Sequence, residues 1–515
     1  MTFWKTLAQS PYVNSGWHRT VFGKAAIVAT LIVATFLVRR MTQWPFMVPQ
    51  DEGILLVYPD LILRGYVPYS DFTALYSPGG FYFIAGLFRV FGSSIFVERG
   101  AGVLYWFLLT AAIFLIGSRV GRATAVLAAT TALAYGSQFL SPGAHPHFAA
   151  FAFMLLALFF SSGSVTAGAP LANKTHPMLS GFMAGCSGWF KQDIGFVAVI
   201  AALGGLNTLA LDRLRAFFIG LAIPICGLIV FALFVSPPSF IESLILDPLR
   251  NAQRRVAPIE FNMDLVVVAV CCIIQLFGAI VVRTPNIPEH LVRLSRGILT
   301  LTVTLYISLL RRLAPGDISF LGVIVVSLTI VSMHITLLHL RVDRRKLAIA
   351  MTSGFLAGIV PVGILHLSRS HRSLPPVSWV SSGKRVVPWN GNDSSLPGLI
   401  ADITTRASRG EKLFVGPRDL RFANHNDTFI YYLLPQLEPV TRYLEMNPDC
   451  ANRLDSSLAQ DIQQADWLIL NSEYDPGPDS SWIPGPREPN NVVSTQFCVV
   501  AQYGSRTLLT RHACT

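Results

Sequence analysis

"VPQDEGILLVYPDLILRGYVPYSD", residues 48–71, sets an acidic pair, Asp51-Glu52, directly after the first long apolar run of the chain. An Arg-Gly turn and two tyrosines follow the pair. The runs on either side of this stretch decide the fold class. Of the 515 residues, 52% are hydrophobic and 13% charged, and the mean hydropathy is +0.51. A soluble domain carries about twice that share of charge. Apolar runs of about 18 residues recur from Val21 to near Leu367, each long enough to cross a ~30 Å hydrocarbon core. The period-two alternation of a membrane β-barrel is absent. The chain reads as a polytopic α-helical membrane protein.

About eleven spans are expected, near residues 21–38, 100–118, 123–141, 147–163, 177–190, 194–211, 216–235, 264–282, 297–310, 318–340 and 347–367. The first is too long for a signal-peptide core and no small-residue cleavage site follows it, so it is expected to stay as a helix. The net charge of +11 and pI near 9.5 would suggest nucleic acid as the partner of a soluble chain. Here no nucleic-acid partner is expected. Positive-inside loops account for much of the charge, and anionic membrane lipids for the rest. An odd number of spans puts the loops at Arg119/Arg122, Arg213/Arg215, Arg283/Arg293/Arg296 and Arg341/Arg344/Arg345/Lys346 together on the cytoplasmic side. The loops 39–99, 142–146 and 236–263 and the tail then lie outside. Arg39, Arg40, Arg250, Arg254, Arg255, Arg311 and Arg312 break the rule by lying outside. Either the topology differs there or these cations have a task. "SPGGFYFIAGLFRVF" (77–91) is short and carries Arg89, which fits an interfacial or half-buried helix better than a span.

Residues 1–367 are expected to form the transmembrane part and 368–515 a small extracytoplasmic α/β domain. Within the tail, "EKLFVGP" (411–417) and "ADWLILN" (465–471) read as buried strands, with a helical stretch at 452–464 before the second. "TQFCVVAQYGSRTLLTR" (495–511) reads as a hairpin turning at Tyr503-Gly504-Ser505. Cys186, Cys226, Cys271 and Cys272 lie in apolar runs and read as packing residues. Outside the cytoplasm, two of Cys450, Cys498 and Cys514 can form a disulfide, whose pairing stays open.

A carboxylate at the edge of a bilayer is costly unless it is solvated, paired or bound to a cation. Pro49 sets Asp51-Glu52 in the first turn of a helix expected to run to about Leu63, where acids also serve as plain helix-end residues. Three further polar breaks stand out. In "GWFKQDIGF" (188–196), Lys191, Gln192 and Asp193 interrupt an apolar hairpin. Such breaks are tolerated where they line a cavity. Lys191 either contacts a phosphate or closes the turn with Asp193. In "SPGAHPHFAAF" (141–151), His145 and His147 make an incomplete metal site, a phosphate or sugar contact, or simple helix-end polarity. In "LLRRLAPGDISF" (309–320), Arg311 and Arg312 grip a phosphate bidentately or snorkel to headgroups. "DPLRNAQRRVAP" (247–258) reads as a basic interfacial helix. Asp60, Arg64 and Asp71 lie near the acidic pair, with Asp71 either a second acidic contact or a turn residue. Tyr66, Tyr69, Phe72, Tyr76, Phe81 and Tyr82 make a sugar-facing wall or an interfacial belt.

Taken in order, Asp51-Glu52, an amphipathic helix, Arg64-Gly65, Ser77-Pro78-Gly79, Phe91-Gly92 and Glu98-Arg99 opening the next span resemble the first outer loop of the GT-C membrane glycosyltransferases. The likeness is to the protein O-mannosyltransferase and aminoarabinose transferase (glycosyltransferase family 39-like) group. It covers roughly residues 20–370 in architecture and is specific only in the first loop and two shorter stretches. Where many members have Pro-Pro-Leu, this chain has Ser-Pro-Gly-Gly. The resemblance implies inverting transfer of a monosaccharide from a polyprenyl-phospho-sugar donor to a hydroxyl of a glycan, lipid or protein, on the outer face of a plasma (inner) membrane. It implies Asp51 as the base, with Glu52 orienting the acceptor or sharing a metal with Asp51. It implies carrier-phosphate contacts from Lys191 and from Arg311 or Arg312. Some members use a divalent cation (Mg or Mn) and others none, so the metal stays open. A transporter or flippase for a lipid-linked saccharide would need the same cations and aromatics, but usually shows repeated halves, and none are found. A non-catalytic scaffold is the third reading.

Overall fold

The computed structural model describes residues 49–136, 143–163, 170–206, 210–254, 263–281, 287–309, 315–340, 377–423, 426–474 and 484–511. The expected spans at 21–38 and 347–367, together with Arg311, Arg312 and Cys514, lie outside the described residues. Among the described residues, two short helices come before the first long one: α1 (Pro49–Leu63) and α2 (Pro78–Phe91). Proline starts α2, and Gly92 ends it at φ 89°, a conformation that glycine adopts without strain. With 14 residues, α2 reaches about 21 Å, too short to cross a bilayer.

The bundle follows as α3 (Ile95–Ser118), α4 (Arg122–Gly136), α5 (Pro146–Ser161), α6 (Pro170–Phe190), α7 (Gln192–Gly205) and α8 (Leu211–Val235). A short helix α9 (Pro237–Ile241), a π-helical turn (Glu242–Leu246) and α10 (Asp247–Arg254) lead to α11 (Met263–Val281), α12 (Glu289–Leu309) and α13 (Pro315–His339). Among the described residues, Ile95–Ser118, Leu211–Val235 and Leu321–Leu338 are long and apolar enough to cross a membrane. Small residues and polar side chains join the helices, as apolar solvent requires. α6 and α8 approach so closely that a Cβ on Gly181 would collide with the Phe217 carbonyl oxygen, and one on Gly220 with that of Met178. Ser180 Oγ donates to Ala157 O and Ser187 Oγ to Ala150 O, at 2.8 and 2.9 Å, fixing α6 to α5.

The C-terminal segment builds a hairpin, β1 (Val377–Ser382) and β2 (Arg385–Asn390), and a five-stranded mixed sheet. The sheet contains β3 (Lys412–Pro417), β4 (Glu438–Pro439), β5 (Trp467–Asn471), β6 (Cys498–Tyr503) and β7 (Arg506–Thr510), in the order β4-β3-β5-β7-β6. β3 is parallel to β4 and β5, while β7 is antiparallel to β5 and β6. The helical stretch expected at 452–464 is shorter, at Leu458–Gln463. Cys498 is disulfide-bonded and Cys450 is a free, buried thiol.

This segment packs against α1. A short helix, α14 (Phe429–Leu433), comes so near that a Cβ on Gly53 would lie 2.7 Å from Phe429 N. Tyr58 Oη donates to Glu445 Oε1 at 2.6 Å. Arg385 holds Asp60 through both carboxylate oxygens, at 2.7 and 3.1 Å, and donates to Tyr432 O at 2.7 Å. One apolar core therefore runs from Phe148 and Leu55 through Tyr58 to Phe429 and Leu508.

Candidate functional site

Pro49 opens α1, so Asp51 and Glu52 fall in its first turn. Helical geometry turns their side chains to different surroundings. Glu52 is 2% exposed and faces Arg99 in the first turn of α3. Arg99 Nε donates to Glu52 Oε1 at 2.6 Å and Nη2 to Oε2 at 3.1 Å. Both carboxylate oxygens are thereby engaged. Asp51 is half-buried and, among the described residues, makes no hydrogen bond and no ion pair.

Glu98, one residue before Arg99, is fully buried. Its Oε1 accepts from Ala144 N at 2.5 Å, and its Oε2 has no partner among the described residues. His145 follows Ala144 at the start of α5, and its ring stacks on that of His147 with centroids 5.2 Å apart. Gly143 is where these groups converge. A Cβ there would lie 3.3 Å from each of Glu98 Oε1, His145 Nε2 and Leu55 Cδ1. Burial pushes the His145 imidazole below its usual pKa, the Asp51 and Glu52 charges oppose that shift, and Lys191 adds to it. The net direction keeps His145 neutral at neutral pH. The structure thus brings the Asp51-Glu52 pair and Lys191, far apart in sequence, within electrostatic reach of His145.

Lys191 occupies the single extended residue between α6 and α7. Its Nζ lies 3.5 Å from Asp193 Oδ2 and 6.0 Å from the Tyr76 ring centroid. The Asp193 side chain is 59% exposed, so that ion pair is weak and leaves Lys191 able to turn to another anion. Gln192 is a clamp. Its Oε1 accepts from Ser77 Oγ at 3.2 Å, and its Nε2 donates to Leu75 O and Leu244 O, each at 3.1 Å. The Ser-Pro-Gly-Gly segment is wedged against the same hairpin. A Cβ on Gly79 would lie 2.6 Å from Trp189 O, and one on Gly80 3.0 Å from Pro146 Cγ. Two adjacent glycines are what this close approach demands.

The remaining expected site residues lie elsewhere in the first loop. Arg64 lies over the Tyr66 ring at 5.5 Å and reaches Leu437 O at 3.5 Å. Tyr69 is fully buried in a left-handed conformation (φ 70°) and packs on Phe231 and Phe240, and its Oη donates to Tyr76 O at 2.7 Å. Asp71 Oδ2 accepts from Val67 N at 2.6 Å and closes a turn. Glu98 carries no role in the sequence reading. Its signal was a carboxylate beside Arg99 in the first turn of a span. Among the described residues no group of three His, Cys, Asp or Glu side chains is arranged to hold a metal ion. Both Glu52 oxygens accept from Arg99.

No family model matches the chain, and no curated protein matches it by sequence. Solved structures do match. ArnT from Cupriavidus metallidurans bound to undecaprenyl phosphate is similar over 96% of this chain and 99% of its own, with a TM-score of 0.60 and 13% identity. The apo state of the same protein is similar over 95% and 98%, with a TM-score of 0.52 and 13% identity. The Archaeoglobus fulgidus oligosaccharyltransferase, in complex with Zn and sulfate, is similar over 87% of this chain and 67% of its own, with a TM-score of 0.50 and 11% identity. At these identities the likeness shows the fold. The chain is a multi-pass membrane protein with the GT-C fold.

Proposed function

We propose that this chain is an inverting glycosyltransferase that moves a monosaccharide from a polyprenyl-phosphate carrier to a hydroxyl acceptor. The observation that carries the reading is Asp51, a half-buried carboxylate without a partner among the described residues. It stands beside a neutral imidazole and a weakly held lysine. Asp51 takes the acceptor proton as the acceptor oxygen bonds to the anomeric carbon from the face opposite the phosphate. The bond from that carbon to the phosphate oxygen breaks, and its electron pair leaves with the phosphate. Lys191 stabilises the charge that develops there, and Arg311 or Arg312 adds a second cationic contact. Glu52, occupied by Arg99, positions the start of α1. His145 accepts or donates a hydrogen bond as a neutral group at the rim. No step is routed through a metal. The likeness to a protein solved with undecaprenyl phosphate supports the carrier class.

In this reading the chain crosses a bacterial inner membrane about eleven times. Residues 1–367 form the catalytic membrane part, and residues 368–515 form an extracytoplasmic unit that shapes the acceptor side. The test is sugar transfer from purified polyprenyl-phospho-sugars by wild type and Asp51→Asn in nanodiscs, with carrier binding measured in parallel. A loss of about 10²–10⁴-fold in turnover with binding kept is expected. Unchanged turnover would return the pair to helix capping. Absence of transfer by wild type from every donor would favour a flippase.

A further inference from the structure

The far end of the bundle holds a second concentration of charge, which the reaction above does not use. α3 starts beside Glu98 and ends at Arg119, and the stretch between them covers about 30 Å at ~1.5 Å per residue. The two clusters therefore lie a bilayer thickness apart.

Arg119 lays its guanidinium on the Phe159 ring, 4.1 Å from the centroid. Its Nε is buried without a hydrogen-bond partner, and no carboxylate pairs with it among the described residues. Arg293, near the start of α12, is 2% exposed. Its Nη2 donates to Gly163 O at 2.8 Å, just past the end of α5, and its Nε also lacks a partner. Its acidic neighbour, Glu289, stands 3.5 Å away with a side chain 66% exposed. Burial, and secondly the Arg293 charge, pull the Arg119 guanidinium down to about 10. Arg213 adds further positive potential at Arg293, and His176 and His290 lie within electrostatic reach of Arg119.

Arg119 is half-buried and Arg293 buried; two such guanidiniums that repel each other at the end of α5, with one exposed carboxylate beside Arg293 among the described residues, are unfavourable unless an anion shares the space. The guanidinium fork matches the oxygens of a phosphate, and basic pockets between helices at a membrane surface suit headgroup phosphates. We infer that Arg119 and Arg293, backed by Arg213, form a binding site for a phosphate group at the end of the bundle opposite Asp51. This site is independent of the proposed transfer reaction.

The full chain, delipidated in a neutral detergent, is titrated with phosphatidylglycerol, phosphatidylcholine or inorganic phosphate. Native mass spectrometry and thermal unfolding read the binding. Saturable binding of phosphatidylglycerol or of phosphate is expected, weakened at least tenfold by Arg119→Gln and less by Arg119→Lys, which keeps the charge and the fold. Arg215→Gln, at an exposed arginine in the same charge-rich set of loops, is expected to leave binding unchanged. Binding of phosphatidylglycerol alone identifies a lipid headgroup as the source. Equal binding of inorganic phosphate identifies a soluble one. Binding that ignores Arg119, or that falls equally in Arg119→Gln and Arg215→Gln, overturns the site.

Discussion

Glu52 and Arg99 meet through two hydrogen bonds, at 2.6 and 3.1 Å, with both side chains 2% exposed. This pair ties the start of α1 to the start of α3, and Asp51, one residue away, makes no hydrogen bond or ion pair among the described residues. Removing one partner leaves a buried charge alone. Glu52→Gln or Arg99→Met is expected to destabilise the fold by about 3–5 kcal/mol, read as the unfolding midpoint in detergent. The double variant Glu52→Gln/Arg99→Met should recover much of that loss. A double variant no better than the singles would deny the coupling.

His145 sets an acid limit. Its folded pKa lies below the ordinary value near 6.5 because of burial. As pH falls through that ordinary value, the unfolded chain takes up a proton that the folded chain refuses. Stability should therefore drop as pH falls from about 6.5 towards the folded pKa, and hold level above it. Unfolding midpoints of wild type and His145→Gln between pH 5 and 8 check this, and the slope should flatten in the variant.

Gly79 and Gly86, both in α2, make an internal contrast. A Cβ on Gly79 would meet the Trp189 backbone oxygen at 2.6 Å, whereas one on Gly86 meets nothing within 4 Å. Gly79→Ala should cost about 1–3 kcal/mol and loosen the Lys191 hairpin. Gly86→Ala should stabilise by about 0.5–1 kcal/mol. Thermal unfolding of the two variants side by side decides it.

Asp60 and Arg385, 16% exposed or less, join α1 to the C-terminal segment. Arg385→Ala should cost about 2–4 kcal/mol and speed proteolysis of the tail more than of the bundle. Equal protection of both parts would show that the apolar contacts at Phe429 carry the docking unaided.

Cys450 is a free buried thiol while Cys498 is disulfide-bonded. Cys450→Ser should keep the tail disulfide, seen as an unchanged mobility shift on reduction, and native Cys450 should alkylate only on unfolding. Loss of the shift in Cys450→Ser would place Cys450 in the bridge.

Apolar runs were enough to place the helices from α3 to α8 along the chain, although their lengths differ, from 14 residues in α7 to 25 in α8. The acidic pair and the Lys191 hairpin were legible as polar residues in expensive places. Their meeting point was less so. Glu98 is held by the backbone amide of Ala144, and a backbone donor has no letter of its own. Tyr69 and Asp71 were expected at the site from their place in the sequence; the turn that follows α1 engages them in packing and in a hydrogen bond, contacts that no run of letters shows.

The contact of Gly53 with Phe429 bears on biosynthesis. The helix that carries Asp51 is made well before Phe429, the residue that closes over it at Gly53. Domains form as they emerge, so for a time α1 lacks that cover. A chain cut before Phe429 should therefore leave this face of α1 bare, and the contact ties the order of α1 to a segment far away in the sequence.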